Sequence, residues 1–181
     1  MKGIPVAPLS RLDIQKKALQ IRIVCGLQND LYLSVIKLLE HDMMKIYPNF
    51  NYEYVDSSEI GNNEGLMLPR EHTVVIPNDV LYAAARGDGR SRFTIAHEIG
   101  YYILHRDQTT GFARNSCVER HSYPVFRDSE WQANTLAAEI LMPAHLIKEL
   151  SIPEIMKECQ VSRHAAECQM NKLNEIKPFL R

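Results

Sequence analysis

Two stretches of this chain read as helices that can lie backbone to backbone, and that possibility constrains the fold more than any other feature. Residues 92–105 read RFTIAHEIGYYILH and residues 130–143 read EWQANTLAAEILMP. The first keeps Gly100 in a helix interior, where glycine costs about 1 kcal/mol relative to alanine. The second sets Glu130 and Asn134 four residues apart, on one face with Ala137, Ala138 and Leu141. Small residues on both segments let the helices cross closely. A close crossing delivers Glu130 toward His97.

The rest of the chain reads as scaffold. Ser10 caps a helix of about 11–25, in which Ile14, Ala18, Ile21 and Cys25 recur on one face before Gly26. A second helix spans about 30–46 and ends before Pro48. Phe50, Tyr52 and Tyr54 alternate with polar residues and predict a strand. The turn-rich SSEIGNNEG separates it from two short strands at 66–68 and 73–76. The economical expectation is a small, largely antiparallel three-stranded sheet. Asp79–Arg86 forms a short helix, GDG at 87–89 breaks the chain, and Arg90–His105 is the helix of the first segment. Residues 106–128 are polar and without period, long enough for a functional loop or a hidden strand at SYPVF (122–126). Ser129 opens the next helix, with Ser129 and Gln132 spaced as a capping box. Helices at 153–159 and about 162–176 follow. The fold class is α+β and mainly helical, one domain over 1–181, with a helix-turn-helix-like extension at about 151–181.

Chemistry concentrates in the first segment. A zinc hydrolase that reads H-E-x-x-H places two histidines at i and i+4, so both imidazoles reach one ion from one side of a helix. The glutamate after the first histidine stands next to the metal-bound water. Here His97 and Glu98 supply the first two letters, but i+4 is Tyr101. A tyrosine binds metal as phenolate, which a pKa of about 10 makes costly at neutral pH. It is also longer than histidine. His105 does not substitute: it lies about 12 Å from His97 along the helix axis at about 1.5 Å per residue. It reads instead as a histidine interacting with the C-terminal dipole. His121, in the polar stretch, is a further candidate for substrate or metal contact. Residues 65–76 either bind an extended peptide by strand addition or simply cover the helices.

RFTIAHEIGYYILH followed by E-x-x-A-N-x-x-A-A-x-x-L-M-P resembles the ImmA/IrrE family of zinc metallopeptidases, from about Tyr54 to Leu150 and more loosely into the tail. The resemblance implies a zincin-like metallopeptidase domain in which His97 and Glu130 are zinc ligands and Glu98 is the general base. Tyr101 stands where the family has its second histidine ligand, so activity is expected to be absent or strongly reduced. The resemblance further implies a protein partner such as an Xre-type transcriptional repressor or an antitoxin, often encoded alongside in mobile elements. The alternative is a catalytically dead peptidase fold that sequesters such a partner.

Composition narrows the remaining classes. The chain holds 21 Lys and Arg against 22 Asp and Glu, net −1, which argues against bulk attraction to nucleic acid or anionic membrane. The tail 151–181 carries five Lys/Arg and four Glu, poor for phosphate contact, so packing is favoured over DNA reading. The longest apolar run, Val80–Ala85, is six residues, far below the roughly 20 that span a bilayer. The N-terminus lacks a secretory apolar core. Cys25, Cys117, Cys159 and Cys168 form no CxxC pair. A cytoplasmic protein with reduced thiols is the expectation.

Overall fold

The computed structural model describes residues 3–107 and 123–176. Ser10 caps α1 (Arg11–Val24) in a capping box with Asp13, and the helix buries Ile14, Ala18 and Ile21. The second helix begins later than its periodicity suggests. Ser34 accepts from the Lys37 amide and starts α2 (Val35–Lys37), leaving 30–33 outside. The chain runs on through a π-helical stretch, Leu38–Asp42, into α3 (Met43–Ile46). Val35, Leu38, Leu39 and Met43 face the core.

Three strands follow: β1 (Asn51–Val55), β2 (Leu66–Leu68) and β3 (Thr73–Pro77). The sheet is mixed rather than largely antiparallel. β3 is central, pairing antiparallel with β2 and parallel with β1. The β2–β3 link is a hairpin through a 3₁₀ turn at Pro69–Glu71, closed by His72 in the left-handed region at φ 51°. β1 reaches β3 only across the 56–72 excursion, and such a crossover allows parallel pairing. Every residue of β3 is buried, as befits a strand covered on both sides.

β3 leads directly into α4 (Asn78–Ala85), and Asp88 then caps α5 (Gly89–His105) by accepting from the Ser91 amide at 2.7 Å. Residues 123–128 hold a 3₁₀ turn at Val125–Arg127 and a single bridge, Pro5 to Asp128, not a strand. The cap of α6 (Ser129–Leu141) is Asp128, whose carboxylate accepts from the Trp131 amide. The Ser129–Gln132 capping box therefore does not form. Ser129 instead accepts from the Ile4 amide, and Gln132 donates to the carbonyls of Ala7 and Phe126. Both side chains hold an N-terminal strap, residues 3–9, against the start of α6.

α7 (Ala144–Ile147), α8 (Ile152–Cys159) and α9 (Arg163–Ile176) complete the chain. Ile155, Cys159, Val161 and Ala166 join the same core as α1, α5 and α6. Among the described residues, two wholly buried arginines are held by carbonyls and not by an ion pair. Arg22 donates to the carbonyls of Leu27, Asp30 and Ile140. Arg92 donates to those of Leu33, Cys159 and Gln160 and stacks on Tyr32. Among the described residues, no helix is long and apolar enough to cross a membrane.

Candidate active site

The crossing of α5 and α6 is as close as the small residues predict. A Cβ on Gly100 would stand 3.0 Å from the Ala133 carbonyl oxygen. Along one face of α5, His97, Tyr101 and His105 stack at i, i+4 and i+8, with ring centroids 5.0 and 5.5 Å apart. The first turns of α6 bring Glu130 and Asn134 against this stack.

His97, Tyr101 and Glu130 meet as the sequence suggests. His97 Nε2 is 3.7 Å from Glu130 Oε2, and its Nδ1 is 3.1 Å from Asn134 Oδ1. An amide oxygen accepts, so the Nδ1 proton is held there and the Nε2 lone pair is directed toward Glu130. Burial lowers the pKa of His97, with Glu130 and Asn134 pulling the other way. Asn134 is thus an orienting residue, and its place one turn beyond Glu130 was the signal for it. Ser129, whose Oγ is 3.3 Å from the Tyr101 hydroxyl, had no comparable signal.

Glu98 lies beside the pair. Burial first, and then the Glu130 charge, push its carboxyl up to about 8. A glycine shapes its berth: a Cβ on Gly65, just before β2, would come within 2.7 Å of Glu98 Cγ. The candidate peptide edge narrows to β2, because 73–76 lie in β3, which is paired on both sides. His105 departs from the sequence reading. It is buried, and burial drives its pKa down to about 4, the nearby backbone of Ser129 and Leu104 only partly opposing. It is therefore neutral near pH 7 and carries no charge for a helix dipole. His121 lies outside the described residues.

The donor set decides whether a zinc ion fits. A catalytic zinc takes three protein ligands and a water. Here two donors converge, His97 Nε2 and the Glu130 carboxylate. At the third position the Tyr101 hydroxyl donates to Glu130 Oε1 at 2.6 Å. Its pKa is raised, by burial and then by that bond, so it is a neutral phenol and not a phenolate. A proton donor aimed at a would-be ligand is the reverse of what a cation needs. Among the described residues no group of three or more His, Cys, Asp and Glu side chains is placed to hold a metal. The residues present do not fit the zinc site.

A close helix pair carrying His-Glu on one member and a ligand-type glutamate on the other, beside a small sheet, defines a metallopeptidase-like domain. Residues 58–169 match the profile of the IrrE N-terminal-like domain, peptidase M78, and the chain belongs to that family. It is similar to the radiation response metalloprotease IrrE of Deinococcus radiodurans, 30% identical over 135 residues, which cover 70% of this chain and 38% of that protein. The chain thus spans well under half the length of that relative.

Proposed function

We propose that this chain is a peptidase-fold protein that engages a protein partner, of the Xre-type repressor or antitoxin class, and that hydrolysis by it is absent or strongly reduced. The observation that carries this reading is the 2.6 Å hydrogen bond from Tyr101 to Glu130. It fills with a proton donor the position where the family has a histidine ligand. The remaining parts are those of a zinc endopeptidase: His97 oriented by Asn134, Glu98 berthed against Gly65, Glu130 on the facing helix. Sequestration of the partner is the activity left to such a fold, and the edge of β2 beside α5 is where an extended segment would add as a strand. A cytoplasmic setting fits such a partner.

The test compares the chain with Tyr101→His for metal content and for cleavage of a repressor encoded next to it. Restoring the third ligand is expected to give about one zinc per chain and cleavage, where the chain as it stands gives neither. Tight zinc binding with Tyr101 in place would overturn the ligand-loss argument. Zinc binding by neither protein would leave only the sequestering reading.

A further inference from the structure

The donor set that fails a zinc ion is complementary to a different cation. Zinc needs three lone pairs at about 2.0–2.3 Å, and the Tyr101 proton denies it the third. A primary ammonium needs acceptors for its N–H groups at about 2.8 Å. His97 and Glu130 are both acceptors. Asn134 Oδ1, 3.1 Å from Nδ1, takes the Nδ1 proton and leaves a lone pair on Nε2. Tyr101 donates to Oε1 of Glu130 at 2.6 Å and leaves Oε2. Nε2 and Oε2 face each other at 3.7 Å, too far for a hydrogen bond between them and unfavourable for two lone pairs alone.

An ammonium nitrogen about 2.8 Å from both spans that separation with each N–H bent by less than about 20°. Glu98, held against Gly65, adds a second carboxyl near enough to interact with Glu130, so added positive charge offsets repulsion within the site. The side chains of His97 and Glu130 are 16% and 26% exposed, so the pair is reached from solvent. The geometry also selects among cations. A guanidinium pairs best with two parallel carboxylate oxygens, and Tyr101 holds one of the two in Glu130. Hard metal cations favour oxygen ligands, and half of this pair is an imidazole nitrogen. An ammonium is a compact charge whose donors reach single acceptors separately.

We propose that the His97–Glu130 pair binds a primary alkylammonium presented by the partner, either a lysine side chain or the α-amine at a chain start. One N–H donates to His97 Nε2 and a second to Glu130 Oε2. Tyr101, by occupying Oε1, turns a metal centre into an amine site. This inference rests on the reading that Tyr101 has removed the zinc site.

The test titrates Nα-acetyl-lysine methylamide into the full chain, followed by NMR of ring-labelled histidine. Alanine methylamide carries the α-amine alone, Nα-acetyl-arginine methylamide carries the guanidinium, and Nε-acetylation of the lysine probe removes its charge. The expected result is saturable movement of the His97 signal, identified by its absence in His97→Gln. The Nε-acetylated and arginine probes should bind at least about tenfold more weakly, as loss of one charged hydrogen bond predicts. Tighter binding of the alanine probe than of the lysine probe assigns the amine to a chain start, and the reverse assigns it to a side chain. Glu130→Gln keeps an oxygen for the Tyr101 hydroxyl but presents a donor where Oε2 stood, so it should weaken binding about tenfold or more. No saturable shift, equal binding of charged and acetylated probes, or indifference to Glu130→Gln would overturn the proposal. Those outcomes leave the ligand-loss reading standing, because it is judged separately on the zinc content of Tyr101→His, where bound zinc should also displace the lysine probe.

Discussion

The Tyr101 hydroxyl and the Glu130 carboxylate share a 2.6 Å hydrogen bond across the α5–α6 crossing. It does mechanically what a metal would do, joining the two helices at the point where they carry functional groups. Hydrogen bonds to charged groups contribute about 1.5–3 kcal/mol, and the Glu130 side chain is 26% exposed, which places this one at the lower end. Tyr101→Phe is therefore expected to lower the unfolding free energy by about 1–2 kcal/mol in urea titration. Chelator should leave the stability of the original chain unchanged. An unaltered urea midpoint in Tyr101→Phe would mean that Glu130 finds an equivalent partner.

Gly65 sets the position of Glu98. In Gly65→Ala the added methyl stands 2.7 Å from Glu98 Cγ and 3.1 Å from its Oε1, so the glutamate must move while the backbone need not. Misplacing a reacting group by about 1 Å can cost on the order of a hundredfold in rate. In a Tyr101→His background, Gly65→Ala should cut partner cleavage at least about tenfold and leave zinc content unchanged. Parallel loss of both would place Gly65 in the fold and not in the positioning of Glu98.

How far the sequence discloses this site depends on which forces act locally. The convergence of His97, Glu98 and Glu130 is legible because helical periodicity and the small residues Gly100, Ala137 and Ala138 are local facts. The direction of β1 is not, because its partner lies beyond β2 and is chosen by burial of β3. Nothing in the local sequence marks Arg22 and Arg92 as wholly buried, because carbonyls as distant as Ile140 and Leu33 take their donors. Ser129 reads as a helix cap until Asp128 takes that role and the strap takes Ser129. His105 reads as a histidine at the C-terminal dipole of its helix because nothing local shows that it is buried.

The raised pKa of Glu98 gives stability a pH dependence of definite sign. An isolated glutamate ionises near 4.5, and Glu98 in the folded chain at about 8. Between those values the unfolded chain loses its proton first, so the Glu98 contribution to stability falls as pH rises. His105, lowered to about 4, acts oppositely: its contribution is lost as pH falls from about 6.5 toward 4. With chelator present, urea titrations should show stability declining from pH 6.5 to pH 8 in the original chain and much less in Glu98→Gln. A decline of equal slope in the variant would assign the effect to another group.

A highly connected buried charge lies away from the site, at Glu139. Its Oε1 accepts from Arg11 at 3.0 Å, Gln15 at 3.1 Å and Gln169 at 2.9 Å, and its Oε2 from the Ala144 amide at 3.3 Å. One carboxylate thus ties α1, α9 and the start of α7 to α6. The side chain is 3% exposed and that of Arg11 13%, so removing the acid leaves the Arg11 guanidinium without its counter-charge, holding only to Gln169 Oε1 at 2.8 Å among the described residues. Breaking a buried ion pair by deleting one partner costs about 3–5 kcal/mol. Gln169 still donates to the Met142 carbonyl at 3.2 Å, which moderates the loss, so Glu139→Leu is expected to destabilise by about 3 kcal/mol. Replacing the acid together with Arg11, as Glu139→Leu with Arg11→Met, removes the unpaired charge and should recover a large part of that loss. A double variant no more stable than Glu139→Leu alone would show that the amides and the α7 cap, not the ion pair, carry the energy of this junction.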